Sequence, residues 1–145
     1  MKKNKKAVLL AVCSLALIGL FIGSGLLLAH SDFMKQFRSF RVTVANQSNG
    51  EITVVELGIA GSYEGNKPIK GDSRHQFMQT VGIGEQVTLK PDLALIGEGA
   101  VYMEYTGSQG QVIRETVCGY TESLTGFSEV AITNTGFTDI VQKCW

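Results

Sequence analysis

Asp72, Ser73 and His75 are the residues whose types could do chemistry: a carboxylate, a hydroxyl and an imidazole within one short stretch. Acyl transfer by a triad needs a nucleophile, a base and an orienting group that converge in space. Side chains so close together in an extended segment diverge, so the expectation here is a loop surface, and no enzymatic activity is assigned. Metal binding has no better footing. A single histidine after position 30, two cysteines and scattered carboxylates give no zinc spacing, and Glu64 with Asp72 lacks the calcium-loop pattern. Gly82-Ile83-Gly84 and Gly97-Glu98-Gly99 do not open helices, so they are turn glycines and not phosphate loops. No cofactor is expected. Asn46-Gln47-Ser48 is a glycosylation acceptor only in a eukaryotic secretory pathway, and it coincides with a turn that accounts for it.

The cysteines divide by position. Cys13 lies in an apolar run, whereas Cys118 and Cys144 lie in the C-terminal region and form an even pair there. A Cys118–Cys144 disulfide is expected, which places the region in an oxidising compartment. Closing that loop is worth roughly 3 to 4 kcal/mol in the chain-entropy account.

What remains is recognition. Tyr63, Lys67, Lys70, Arg74 and His75 give the 60–75 stretch a mixed aromatic and basic character on an acidic background, the composition of a protein-contact surface. The competing reading is a solvated loop of ordinary composition. Tyr102, Tyr105 and Tyr120 read as core or edge residues whose hydroxyls reach the rim.

These residues must be positioned by what surrounds them, and the N-terminus decides where that is. Residues 1–6 hold four lysines and form a basic tail. Residues 7–29 carry no formal charge and, as a helix, would extend about 34 Å, enough for one membrane crossing. The run is longer than the apolar core of a secretory signal, which favours a retained anchor; Ala29-His30-Ser31 is nevertheless an acceptable cleavage site, so a secreted mature form stands as the alternative. A lipoprotein reading of Leu10-Ala11-Val12-Cys13 is weaker, because valine is a poor residue before a modified cysteine.

Residues 1–41 hold seven Lys/Arg against one Asp, and residues 42–145 six against twelve Asp/Glu. A basic tail kept in the cytoplasm sends the acidic part across the membrane. The acidic part lacks the basic patch a nucleic acid needs. Within the anchor, Gly19 and Gly23 form a GxxxG on one row with Ala7 and Ala11, a candidate face for helix self-association and hence for a homodimer. Residues 30–41 form a juxtamembrane stalk. Phe33, Phe37 and Phe40 fall on one helical face and Lys35, Arg38 and Arg41 away from it; either this turn rests at the membrane interface or its last residues already enter the first strand.

From Arg41 the period changes to two. Val42 and Val44 alternate with Thr43 and Ala45, and Asn49-Gly50 supplies a tight turn, so a hairpin is expected between this run and the next strand, 51–59, with Val55, Leu57 and Ile59 on one face. The stretch 60–75 has no periodic pattern and reads as a long loop. Extended runs follow at 76–81, 86–89, 100–106, 111–119 and 127–133, then a final extended tail, with glycine-rich turns between them. Seven or eight short strands in the 104 positions of 42–145 predict one extracytoplasmic domain, an all-β, antiparallel immunoglobulin-like β-sandwich preceded by one transmembrane helix, with a barrel as the alternative.

The succession Val42-Thr43-Val44-Ala45-Asn46, Gly84-Glu85-Gln86-Val87-Thr88, Gly99-Ala100-Val101-Tyr102-Met103-Glu104-Tyr105 and Gly119-Tyr120 resembles small bacterial membrane-anchored envelope proteins with a single Ig-like sandwich. The resemblance implies a bacterial inner-membrane protein with its domain in the periplasm or outside the cell, and transfers no functional residue. The resulting expectation is a module that binds another envelope protein, as a subunit of an envelope complex or as an inhibitor or immunity protein against an extracytoplasmic enzyme.

Overall fold

The structure is a computed structural model that describes residues 38–145; the predicted anchor at 7–29, with Gly19 and Gly23, lies outside them. Among the described residues no helix is long and apolar enough to cross a membrane. Eight strands run as β1 Arg41–Asn46, β2 Ile52–Glu64, β3 Lys67–Val81, β4 Gln86–Leu89, β5 Gly99–Thr106, β6 Val112–Thr121, β7 Gly126–Thr133 and β8 Gly136–Cys144. They form two packed four-stranded sheets, β4-β1-β7-β8 and β3-β2-β5-β6, which is a β-sandwich.

Period-two patterning builds the core. Val42 and Val44 of β1, Leu89 of β4 and Val130 and Ile132 of β7 face Val54 and Leu57 of β2, Val101, Met103 and Tyr105 of β5, and Val117 of β6. Phe40, one of the three stalk phenylalanines, is buried in the same core, and Arg41 already opens β1; Phe33 and Phe37 lie outside the described residues. On the outer side of the first sheet the Thr43 and Thr88 hydroxyls, directly opposite in register, hydrogen-bond at 3.0 Å.

Three expectations are corrected. Not all pairing is antiparallel: β1 runs parallel to β7, with Val44 opposite Val130. The 42–59 stretch is not a hairpin, because β1 and β2 belong to different sheets. The connector between them is held by Asn46, which is fully buried. Its Nδ2 donates to the carbonyls of Gly50 and Val81, at 2.8 and 2.9 Å, and its Oδ1 accepts from the N–H and hydroxyl of Ser48. An asparagine bonding its own backbone two residues on supplies turn geometry without strand pairing. Finally, 60–75 is not a loop; it is most of a long β2–β3 hairpin turning at Gly65, whose φ is +60°.

The disulfide is formed as expected. Cys118 and Cys144 are joined with Cα atoms 6.3 Å apart. They sit on β6 and β8, the edge strands on one side of the two sheets, so the bond staples sheet to sheet.

Candidate functional site

The site is the outer face of the second sheet, and it starts from an unfavourable pairing. Glu56 of β2 lies opposite Glu104 of β5, and Glu104 lies opposite Arg114 of β6. Two like charges directly across a pair of strands repel, and both carboxylates are buried, at 2% and 6% exposure. A cation between them is needed, and Lys70 supplies it: its Nζ is 2.6 Å from Glu56 Oε1 and 3.0 Å from Glu104 Oε1. Arg114 holds the other oxygen of Glu104 through Nε and Nη2, at 3.0 and 2.7 Å. The hydroxyl of Tyr102, itself fully buried, donates to Glu56 Oε1 at 2.9 Å, and the Arg114 guanidinium stands 5.6 Å from the Tyr102 ring centroid.

The backbone explains how Lys70 reaches that point. Pairing of β2 with β5 ends at Ile59 opposite Val101, whereas β2 and β3 continue to Glu64 and Lys67. Register shifts at Gly58/Ala60 and Ala60/Ser62 bend this extension. The bend requires close approach of backbones: a Cβ on Gly71 would stand 2.6 Å from the Ile59 carbonyl oxygen. The tip then folds back over its own sheet as far as β6, the opposite edge. Arg114 Nη1 donates to the Pro68 carbonyl at 3.3 Å, and the Tyr63 and Thr116 hydroxyls meet at 3.3 Å. Beneath this arch the Tyr102 ring lies across Gly58, where any Cβ would fall 2.6 Å from the phenol oxygen.

The electrostatics follow from burial set against pairing. Burial alone would raise the Glu104 carboxyl, but the hydrogen bonds from Arg114 and Lys70 outweigh it and hold it below the ordinary carboxylate value. Burial would likewise lower the Lys70 ammonium; its bonds to Glu56 and Glu104 prevail and raise it. Burial, reinforced by the bond to Glu56, keeps the Tyr102 phenol far above its usual range. Two carboxylates and two cations thus form a closed, charge-balanced clamp that ties the arch to the sheet.

The residues predicted for partner contact are divided by this arrangement. Tyr63 and Lys67 lie on the exposed tip, joined there by Ile69 at 42% exposure. Lys70 is turned inward and spent on the clamp. Arg74 is exposed on β3 opposite Gly58. His75 faces the other way, stacked on Phe77 with ring centroids 4.4 Å apart, and its Nδ1 accepts the Asp92 N–H at 3.0 Å. Ser73 does the same for Ala94 N–H at 2.7 Å. These two side chains satisfy the backbone of the 90–98 connector and do not bond one another, so Asp72, Ser73 and His75 do not converge. Among the described residues no three His, Cys, Asp or Glu side chains gather in a metal-holding group.

Glu56, Glu104 and Arg114 were not singled out from the sequence, and Tyr102 was expected as a core or edge residue without its Glu56 partner. A signal was present: Glu56 and Glu104 interrupt apolar strands away from any turn, where an unpaired charge would be costly. Tyr120 is exposed, with its hydroxyl placed to donate its one proton to either Glu98 or Glu122. Comparison with protein-family models, with characterised proteins and with solved structures returned no match.

Proposed function

We propose that this chain is a membrane-anchored, extracytoplasmic protein-binding module of the bacterial envelope, an Ig-like sandwich that presents the folded-back β2–β3 tip to another envelope protein. One observation carries the reading: a hairpin folded back over its own sheet, with Lys67 and Ile69 on its outer side and Tyr63, opposite Pro68, turned toward Thr116 of β6, is fixed from beneath by Lys70, Arg114, Glu56 and Glu104. A preorganised tip gives up little conformational entropy on binding, and Ile69 and Tyr63, 42% and 48% exposed, give it aliphatic and aromatic surface to bury. The envelope location is supported by the lysine-flanked apolar run at 7–29 and by the Cys118–Cys144 bond. The Ig-like description is supported by domain size and by two four-stranded sheets tied by a disulfide; the exposed Trp145 is not the core tryptophan of antibody domains.

A narrow clamped hairpin also suits insertion into the cleft of an enzyme, which is the inhibitor version of the same reading. The test is a crosslinked pull-down with the tagged full-length chain in detergent, alongside Tyr63→Ala/Ile69→Asp. A membrane complex recovered by the parent and lost in the variant supports a subunit; a soluble enzyme recovered in the same way supports an inhibitor. Equal recovery by parent and variant, or no specific partner for either, refutes the reading.

A further inference from the structure

The two sheets end in four edge strands, β4, β8, β3 and β6, and three of them are guarded. β4 is only four residues long. β3 is broken by register shifts and by Met78, whose φ of +51° kinks the backbone. β6 is overhung by the hairpin tip, through Arg114 to Pro68 and Tyr63 to Thr116. Short length, bulges and a covering segment are the usual defences of an exposed edge. The second half of β8 has none of them: from Asp139 to Cys144 it keeps unbroken register with β7, from Ala131 back to Gly126.

One bond shows which way the backbone of this edge points. The Trp145 N–H donates to the Thr125 carbonyl at 3.2 Å, so that pair is hydrogen-bonded. By alternation along the ladder, so are Phe127 with Lys143, Glu129 with Val141 and Ala131 with Asp139. The N–H and C=O groups of Ile140 and Gln142 therefore point away from β7, to the side where β8 has no neighbouring strand. Positions alternate between the two faces with the same period. Residues 139, 141 and 143 take the outer face of the first sheet, since Glu129, opposite Val141, also stands opposite Thr43 of that face. There Val141 is 50% exposed, a lone β-branched residue between an acidic position at 139 and the exposed Lys143.

We infer that β8 pairs with the β8 of a second copy of this chain, antiparallel about a two-fold axis at Val141, so that the two first sheets become one continuous sheet. The edge is self-complementary about that axis. Asp139 of each copy falls opposite Lys143 of the other, which places opposite charges across the joint on both sides of the axis. Val141 meets Val141 in a non-hydrogen-bonded position, where facing side chains come closest. Ile140 of each copy falls opposite Gln142 of the other, and their outward-pointing groups exchange backbone hydrogen bonds. Moving the axis by one residue sets Val141 against Asp139 or against Lys143 and loses the match. A lysine alone would guard an edge; here residue 139 of the second copy answers it, and a self-complementary patch specifies a two-fold contact. One pair of strands is a small interface, so the association is reversible and depends on concentration. It lies apart from the hairpin tip and from Gly19 and Gly23, and it does not depend on the protein-binding reading.

The test is sedimentation velocity of the full-length chain in a nonionic detergent over a range of concentrations, in a Gly19→Leu/Gly23→Leu background that removes the anchor face as a cause of dimers. A concentration-dependent dimer is expected. Asp139→Lys and Lys143→Glu each turn both attractions into repulsions and should raise Kd roughly 5- to 30-fold. Val141→Lys, which sets like charges on the axis from an exposed position, should also weaken the dimer. The deciding measurement mixes the two charge variants. One then carries lysine at both 139 and 143 and the other an acid at both, so each repels itself and complements the other. A heterodimer of near-parental affinity should form, which also shows that both variants are folded. A parent that stays monomeric, single variants that dimerise as the parent does, or a mixture that associates no more tightly than its components overturns the assignment; a monomeric parent leaves the edge to a strand of a different protein.

Discussion

Replacing Lys70 by methionine keeps most of the side-chain stem and deletes the charge that separates Glu56 from Glu104. Glu104 keeps Arg114 at 2.7 Å, but Glu56, 2% exposed, is left with the Tyr102 hydroxyl alone. Removing one partner of a buried ion pair costs about 3–5 kcal/mol. Lys70 is itself 30% exposed, so water reaches part of the site and solvent screening brings the loss below that range, to about 2–3 kcal/mol. For a domain of this size that is a fall in Tm of about 10–15 °C. The cause is an orphaned carboxylate, so the cure is to neutralise it: Lys70→Met/Glu56→Gln should be more stable than Lys70→Met alone, although Glu56→Gln by itself is destabilising. Urea unfolding of the four proteins closes the cycle. A Lys70→Met change below about 0.5 kcal/mol, or a double variant whose loss equals the sum of the two singles, would show that the clamp does not hold the arch in this way.

Three further outcomes are expected. Lowering the pH should weaken the clamp: the Glu104 carboxyl is depressed in the folded chain, so its contribution is present above the ordinary carboxylate value of 4.5 and is lost as pH falls below it. Lys70 is raised, so its contribution is present below 10.5 and lost as pH rises beyond it; urea midpoints across both ranges should vary less in Lys70→Met. Reduction of the Cys118–Cys144 bond, which spans a sequence separation of 26, should cost about 3.5 kcal/mol, read as the shift in urea midpoint with and without reductant and absent in a Cys118→Ser/Cys144→Ser variant. Gly58→Ala puts a methyl 2.6 Å from the buried Tyr102 hydroxyl and should cost about 1–3 kcal/mol; the same change at Gly65, where φ is +60° but the space is open, should be felt only through backbone strain.

The strands of the core were legible because their faces differ in polarity: Val42 and Val44 against Thr43, or Val117 among polar neighbours. The disulfide was legible because only two cysteines follow the apolar run. The β2–β3 extension was not, for a physical reason. Its concealed side meets charged groups and not the hydrocarbon core, so Lys70 takes the place an apolar residue would fill and the alternation that marks a strand disappears. Its bends also need Gly61 and Gly71 in close contact, and glycine among polar residues reads as loop. The β1–β2 misreading has a different source. The chain does turn between β1 and β2, through Asn46 and Ser48, but local sequence cannot distinguish a turn within a sheet from a crossing between sheets; that is decided by Val44 meeting Val87 and Val130, far along the chain.

That position of β1, inserted between β4 and β7, orders events in time. The first strand to leave a ribosome or a translocation pore has no neighbour until residues 86–89 follow it, and its sheet is not complete until 126–144 are out. Val42 and Val44 therefore wait exposed through nearly the whole emergence of the domain, while β2, β3, β5 and β6 can pair in sequence. Contacts so distant along the chain close slowly. The second sheet can therefore pair in chain order, whereas the first closes only when β7 and β8 have followed, and until then β1 offers unpaired apolar strand surface.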